Sequence, residues 1–279
     1  MHYVCSDDST LGPSWAAGRC LLPGVYNRPA VSVTAFLLVA VAGLLAGVIN
    51  SIAGAGSLIT FPALLAVGLP PLRANVSNSV GLVPGSISGA WGYRAELRGH
   101  LRELALLAIP SAIGGTIGAV LLLQLPPRVF EVVVPLLVAS ASVLVLVQPW
   151  IARHLAVRVH NFRAALASLL VVGVYAGYFG AAQGIMLLAV MGLSLDAPLV
   201  RINGYKTVVA GVSNAASGVI FFFFASISWP HAVVLAVSSL VGGSLGAALG
   251  RRLPEAPLRV GIAIFGLVVA TRLALNVRL

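Results

Sequence analysis

The sequence predicts an all-α, polytopic integral membrane protein with about eight hydrophobic helical segments. Hydrophobic residues make up 59% of the 279-residue chain, whereas charged residues make up 9% and lie between long apolar windows. Soluble domains contain about a quarter charged residues, and about 20 apolar residues suffice for a membrane-spanning helix. The charge-free windows cover residues 29–72, 74–93, 104–127, 132–152, 164–195 and 207–250.

The two longest windows each contain more than one segment. A straight helix of 44 residues would be about 66 Å long, which is twice the thickness of a bilayer core. In the second of these windows the polar sequence at 226–231 predicts an ordinary turn. In the first, the break falls at Gly54-Ala-Gly56 and is followed by a short apolar piece and a proline-bearing connection at 68–71. We therefore predict a first helix that is broken by glycine.

The charge distribution indicates a lipid environment rather than a nucleic-acid partner. The net charge is +10, but the arginines lie between the apolar windows, as the positive-inside bias of membrane proteins predicts. Cys5 and Cys20 both lie in the N-terminal tail, 1–30, so no metal or redox framework and no cofactor is predicted. The tail lacks a signal-peptide pattern. It is interpreted as a disordered extension or as the result of a start codon assigned too early.

An internal duplication appears when the chain is shifted by 128 residues against itself. The pattern P-x-x-R-x-N follows a glycine at the same distance in both halves, and glycine pairs further along also coincide. We therefore predict a first membrane repeat at 31–148, a basic linker at 149–163 and a second membrane repeat at 164–279. The matched residues that open this pattern are Gly56 and Gly184, Pro70 and Pro198, Arg73 and Arg201, and Asn75 and Asn203.

Two topologies remain open at this point. If the broken segment crosses the membrane, each repeat has four spans and the halves are parallel; if it is a re-entrant hairpin, each has three and the halves are inverted. Full crossing divides the 17 basic residues 10 to 7 between the two sides, and the hairpin divides them 6 to 11. The hairpin shows the clearer positive-inside bias. Both topologies place the 94–102 loop and the linker on one side, expected to be cytoplasmic.

The glycine breaks are candidate anion-binding sites. Duplicated halves with interrupted helices in matching positions point to the binding site of a transporter. A helix that starts within the membrane exposes N–H groups and the positive end of its dipole, and glycine lets a ligand approach the backbone. Gly54, Gly56 and Gly184 are predicted to form such breaks. The glycine pairs spaced four residues apart, such as Gly43 and Gly47, are predicted to pack helices closely.

Cationic and amide side chains follow each break. Arg73 and Arg201 suit the oxygen geometry of sulfonate, sulfite or carboxylate, but each is equally explained as a topology-setting arginine. Asn75 and Asn203 are candidate substrate ligands or helix N-caps. Lys206, the one lysine of the chain, is a second candidate cation or a snorkelling end residue.

Uncharged polar residues inside the apolar windows are candidates for a translocation path. Each has the alternative role of a hydrogen bond between helices. Those nearest the breaks are Asn50, Asn78, Gln183 and Asn214.

The sequence does not favour an enzyme. All seven carboxylates lie in the tail or near the ends of the windows, and the histidines fall in the connections. The chain has no HExxH or P-loop motif, and no histidine that would face a serine within a span. No catalytic residue is predicted.

Several of these motifs resemble the TauE/SafE sulfite exporter family, also called the 4-toluene sulfonate uptake permease family. The first repeat does so through 43–47, the Gly54-Ala-Gly56 break, 61–62 and 73–79, and the second through 173–177, Gly184 and 198–203. The resemblance extends over about 31–275. It implies a multi-pass carrier of the inner membrane for sulfite, organosulfonates, thiosulfate or carboxylic acids. The second break, Phe179-Gly-Ala-Ala-Gln-Gly184, departs from the glycine-rich pattern of the family, so no particular substrate is carried over.

The combined interpretation is a secondary transporter, or permease, for a small anion. Its predicted binding residues are Gly54, Gly56, Arg73, Asn75, Asn78, Gln183, Gly184, Arg201, Asn203 and Lys206. The alternative is a channel-like or structural membrane subunit without carrier activity, and a membrane-embedded enzyme is disfavoured. The substrate, the direction, the coupling ion and the oligomeric state are left open.

Overall fold

The computed structural model describes residues 32–154, 162–249 and 255–276, and within these ranges the chain forms twelve helices and no strand. The prediction of an all-α polytopic protein is confirmed. Five of the described helices are long and apolar enough to cross a membrane: Val33–Ile52, Leu101–Gln124, Pro127–Trp150, Leu199–Phe224 and Trp229–Ala248. The predicted tail, 1–30, and residues 155–161 of the predicted linker lie outside the described residues.

The helices are numbered in chain order. Those up to residue 154 are α1 (Val33–Ile52), α2 (Ser57–Ala66), α3 (Pro71–Gly81), α4 (Val83–Gly92), α5 (Arg94–Leu97), α6 (Leu101–Gln124) and α7 (Pro127–His154). Those that follow are α8 (Phe162–Tyr178), α9 (Gln183–Ser194), α10 (Leu199–Phe224), α11 (Trp229–Leu249) and α12 (Glu255–Asn276).

The two halves have the same order of elements. At a shift of 128 residues, α1 and α2 correspond to α8 and α9, α6 to α11, and α7 to α12. The single helix α10 corresponds to the pair α3 and α4, which are separated only by Leu82. Pro84 lies at the start of α4, and its missing N–H removes one hydrogen bond at the junction, so we describe α3 and α4 as one kinked segment. The division into two repeat domains itself stays a prediction.

The contacts of the kinked segment α3–α4 with α10 define the relative direction of the halves. Gly89 packs against Thr207, Gly211 against Ser86 and Gly218 against Val80. Residue numbers therefore rise along one helix as they fall along the other, so these corresponding elements are antiparallel. This is the inverted arrangement that the sequence left as one of two alternatives.

The broken first segment is a hairpin. Both α1 and α4 run parallel to α11, because residue numbers rise together along each pair of helices. In α1, Gly43 packs against Ser238 and Gly47 against Gly243; in α4, Gly85 packs against Ser239 and Gly92 against Ala247. The Thr60 hydroxyl of α2 donates to the amide oxygen of Asn78 in α3, across a short connection, so α2 runs antiparallel to α3. Because α3 and α4 continue in the direction of α1, α2 turns back toward the side on which α1 begins. This topology is the one that divides the basic residues 6 to 11.

Each first helix packs closely against a helix of the other half. Gly47 of α1 meets the backbone of Ser239 and Gly243 in α11, and Gly177 of α8 meets the backbone of Gly115 in α6. Small residues allow this approach because no side chain separates the helices. The paired glycines thus interlock the two halves, as the packing interpretation of their spacing predicts.

Large apolar side chains point outward and polar ones inward. Leu37, Leu136 and Phe223 are all at least 60% exposed, whereas Asn78, Lys206 and other polar side chains are buried in the bundle. A bilayer suits this distribution, because lipid covers the apolar exterior. The protein is a multi-pass membrane protein.

Replacing Gly177 with alanine should strongly destabilise the fold. The added Cβ would overlap the main-chain oxygen of Gly115, and a backbone atom in a packed interface cannot easily move aside. We expect the free energy of unfolding to fall by about 2–3 kcal/mol, seen as a lower midpoint of thermal unfolding in detergent. Gly261→Ala is the control, because nothing lies within 4 Å of its new Cβ. An equal effect of the two substitutions would contradict the close packing of α6 and α8.

Candidate functional site

The two hairpin tips meet inside the bundle. The Gly184 N–H donates to the Gly54 oxygen at 3.1 Å, so one hydrogen bond joins the break after α1 to the start of α9. A Cβ on Gly54 would lie 2.5 Å from the Gly184 Cα. Only glycine allows two backbones to approach this closely, which explains why both positions lack a side chain.

Each first helix ends with a glycine in the left-handed conformation. Gly54 has φ +77° and Gly180 has φ +75°, and their N–H groups donate to the oxygens of Ile49 at 3.0 Å and Tyr175 at 3.1 Å. This is a common way to terminate a helix. The second break lies within the predicted stretch 179–184, but Gly184 itself falls in the first turn of α9, which begins at Gln183. The reversal occurs at Gly180 and at Ala182, which has φ +56°.

A small cavity lies beside the contact between the tips. It is small, with room for about one or two water molecules. It is lined by residues from both halves: Asn50, Ser51, Gly54, Gly85 and Ser86 from the first, and Gln183, Gly184, Lys206, Thr207, Ala210 and Asn214 from the second.

Lys206 supplies the positive charge of the cavity. Its side chain is 1% exposed, and its ammonium group donates to the oxygens of Ile52 at 3.1 Å and Ser51 at 3.5 Å and to the amide oxygen of Asn203 at 3.1 Å. The two carbonyls belong to the last residues of α1, where the dipole of a helix is negative. Ionisable side chains inside membrane proteins are costly and are associated with substrate or ion pathways. The snorkelling interpretation of Lys206 is wrong, because the ammonium group faces the interior.

Two amide side chains face each other across the cavity. Gln183 Nε2 donates to Asn214 Oδ1 at 3.1 Å, whereas Gln183 Oε1 is buried and has no hydrogen-bond partner among the described residues. Asn50 Oδ1 accepts the N–H of Gly56 at 2.8 Å. Gly56 itself packs against the Ala46 oxygen, behind the cavity rather than in its wall.

Several amides at the starts of α2 and α9 donate within the protein in this conformation. The Gly56 N–H is bonded to Asn50, the Gly184 N–H to Gly54, and the Ile185 N–H to the Ala182 oxygen at 3.0 Å. Helix ends alone therefore do not explain an anion site here. Lys206 is the group that makes the cavity attractive to negative charge.

The two arginines do not lie in the cavity. Arg73 is in the first turn of α3 and Arg201 in the first turn of α10, and the inversion of the halves places these helix starts at opposite ends of the bundle. The Nε atom of each is buried without a hydrogen-bond partner among the described residues. The structure therefore separates Arg73 from Arg201 and leaves both outside the cavity that Lys206 lines.

The asparagines of the repeated pattern are not N-caps. Helices α3 and α10 begin after Pro70 and Pro198, so Asn75 and Asn203 fall in the second turn and the capping interpretation is wrong. Asn75 Nδ2 donates to the oxygen of Tyr178 at the end of α8, at 3.0 Å. Asn203 holds Lys206 against the end of α1. Each asparagine thus helps to satisfy the end of a broken helix from the other half.

Two further polar residues have structural partners. Asn78 accepts the hydrogen bond from Thr60 and does not line the cavity. His231, which the sequence placed in a connection, lies buried in the first turn of α11 with Nδ1 2.9 Å from Ser228 Oγ. Sequence reasoning overlooked Ser51, Ser86 and Thr207, because small hydroxyl residues are common inside membrane helices and carry no distinctive spacing.

The inverted halves, the paired breaks and the buried cation between them define a class: polytopic membrane transporters with a central site. Residues 39–273 match the model of the family described as "Sulfite exporter TauE/SafE". The chain belongs to this family, and the resemblance found in the sequence is confirmed.

Curated relatives are also named as transporters. The chain is 28% identical to a "Probable membrane transporter protein" of Haemophilus influenzae, over 83% of this chain and 91% of the relative. It is 26% identical to "Probable membrane transporter protein ORF9" of a Sinorhizobium species (86% and 91%) and to "Probable membrane transporter protein YfcA" of Escherichia coli K12 (82% and 86%). No solved structure matches the chain.

Replacing Gly184 with alanine should separate the two hairpin tips. The new Cβ would overlap the Gly54 Cα, so the hydrogen bond between the tips cannot persist without movement of one hairpin. We expect the free energy of unfolding to fall by about 2 kcal/mol, measured by thermal unfolding in detergent. Gly218→Ala is the control on α10, since its Cβ would meet only Val80, at an ordinary 3.6 Å. Unchanged stability of Gly184→Ala would show that the tips do not meet.

Proposed function

We propose that the protein is a secondary carrier of the inner membrane for a small anion, such as sulfite, an organosulfonate or another sulfur-containing or carboxylic acid. The observation that carries this proposal is the buried ammonium group of Lys206 in the cavity between the two hairpin tips. An anion that enters the cavity would gain Coulomb energy in surroundings of low dielectric constant. The family name supports a sulfur oxyanion as the first substrate to test.

The residues of the proposed site have different roles. Lys206, held by Asn203, attracts the anion, while Gln183, Gly54 and Gly184 form the wall that it contacts. Gly56, Asn75 and Asn78 position the hairpins through their hydrogen bonds and close packing.

The arginines are proposed to act outside the central cavity. Arg73 and Arg201 stand at the two ends of the inverted bundle, each with a buried Nε that lacks a partner among the described residues. A guanidinium at each end can hold an oxyanion transiently on its way to or from the centre. In this view the anion meets one arginine on each side of the membrane and Lys206 between them.

Alternating access is proposed to come from movement of one half against the other. In inverted-repeat transporters the access changes when one repeat rocks around a fixed site. The tips meet through the hydrogen bond between Gly184 and Gly54, and its N–H and carbonyl groups would need new partners when the hairpins move apart. The membrane potential of a cell with a negative interior favours anion export, by about 2.3 kcal/mol per charge per 100 mV.

Flux measurements with the full chain in proteoliposomes test the carrier function. We expect saturable uptake of labelled sulfite that accelerates when unlabelled sulfite is present on the other side, because exchange is a property of carriers. A flux that does not saturate would favour the channel-like alternative. The absence of flux with sulfite, thiosulfate, sulfonates and carboxylates would contradict the proposal.

Lys206→Met should weaken the apparent affinity for the transported anion by at least roughly tenfold, because methionine has a similar length but lacks the positive charge of the buried ammonium group. Lys206→Arg should retain part of the affinity. Arg73→Gln and Arg201→Gln should lower the rate at low substrate concentration with a smaller effect on saturated flux, since these groups lie outside the cavity. The exposed Arg94→Gln is the control. Full affinity in Lys206→Met would refute the central assignment.

A further inference from the structure

The hydroxyl groups around the cavity offer acceptors rather than donors. Ser51 Oγ donates to the Gly243 oxygen at 3.1 Å, Ser86 Oγ to the Leu82 oxygen at 3.3 Å and Thr207 Oγ1 to the Asn203 oxygen at 2.8 Å. A hydroxyl has a single proton, and in each case the main chain has taken it. These three oxygens therefore present only lone pairs to anything that enters.

A fourth acceptor has no donor at all. Gln183 is 7% exposed, its Nε2 is committed to Asn214 Oδ1, and its Oε1 is buried without a hydrogen-bond partner among the described residues. A buried acceptor left unsatisfied is unfavourable, so a ligand that brings a donor to this atom would be favoured. The cavity thus combines one ammonium group and the amide N–H groups of Asn50 and Asn214 with one buried acceptor, Gln183 Oε1, that lacks a donor.

Resting on the carrier function proposed above, we propose that the cavity selects a singly charged oxyanion that carries its own O–H donor, with Gln183 accepting the substrate's hydrogen bond. Hydrogen sulfite is a compact sulfur anion of this kind. Its negative oxygens would face Lys206 and its O–H would face Gln183 Oε1. Gln183 is a specificity-determining residue in this arrangement.

The same inventory disfavours fully deprotonated anions. Sulfate or the sulfite dianion could accept from the Asn50 and Asn214 amides, but it brings no donor and would leave Gln183 Oε1 unsatisfied. A site of this kind rejects an analogue that lacks the required donor more strongly than one that differs only in size.

The substrate then carries its own proton through the membrane. Among the described residues that line the cavity, Lys206 is the one ionisable group. Ionisable groups on the elements around it include Tyr93, whose hydroxyl donates to the Ser51 oxygen, and Glu103 and Arg201, which interact with Tyr205 on α10. The proton stays covalently bound to the substrate oxygen, so no step requires a carboxylate in the path.

The test uses chlorate, which has the pyramidal shape of sulfite and a single charge but no proton. Counterflow of labelled sulfite is measured in proteoliposomes at a series of pH values, from below to above the pKa for the second ionisation of sulfite. We expect the apparent affinity for total sulfite to follow the fraction of hydrogen sulfite, and chlorate to compete roughly tenfold more weakly than hydrogen sulfite. Chlorate competition should not vary with pH in this way.

Two matched variants assign the effect to Gln183. Gln183→Met removes the acceptor and keeps the side-chain length, and we expect it to reduce the preference for hydrogen sulfite over chlorate to about twofold. Gln148→Met is the control, because Gln148 is also buried with an unpartnered Oε1 but lies on α7, away from the cavity. It should retain the wild-type preference.

Failure of this inference differs from failure of the carrier function. Equal competition by chlorate and hydrogen sulfite in the wild type, or an unchanged preference in Gln183→Met, would overturn the inference while flux persists. The wild-type comparison needs no variant, so it decides the matter even if Gln183→Met does not fold. Absence of all anion flux in the wild type would overturn the carrier function, and this inference with it.

Discussion

The end of a helix inside a membrane leaves carbonyl groups that water cannot reach, and this constraint organises the protein. The last carbonyls of a helix have no partner within it, and each unsatisfied group in a bilayer core is costly. Helix α1 meets the requirement through Lys206, whose ammonium group reaches the oxygens of Ser51 and Ile52. Helix α8 meets it through Asn75, which reaches the oxygen of Tyr178. Both donors come from the opposite half, so the two halves complete each other's broken helices.

Close packing follows from this exchange, because a donor from the other half must approach the backbone. The glycines of α1 and α8 let their backbones touch α11 and α6, and Gly54 and Gly184 let the tips touch each other. The breaks therefore lie at a position that both halves share. A cavity formed there contacts both hairpins, which is the location from which a movement of one half would change access.

Much of this architecture could be predicted from the sequence. The apolar windows located the helices. The 44-residue window could not be one span, so its length required a break, and the glycines placed that break at Gly54-Ala-Gly56. The second break was found in the right stretch, but Gly184 was chosen over Gly180 because the shift of 128 residues that aligns Gly56 with Gly184 hides the structural match of Gly54 with Gly180. The separation of Arg73 from Arg201 follows from inversion, which the sequence left open. The contacts of Lys206 with the end of α1 depend on tertiary structure, and so does the commitment of the Ser51, Ser86 and Thr207 protons. No periodicity encodes either feature.

The two halves differ in one way that matters for charge. Lys206 corresponds in the repeat to Asn78, so one half supplies a cation where the other supplies a neutral amide that is bonded to Thr60. Lys206 therefore brings a positive charge to the cavity, whereas Asn78, its counterpart in the other half, carries none. Binding one negative charge would cancel the charge of the ammonium group, whereas a dianion would leave an excess negative charge in a medium that penalises it. Charge neutrality of the loaded cavity and the unsatisfied acceptor on Gln183 therefore favour the same kind of ligand, a monoanion that keeps one proton.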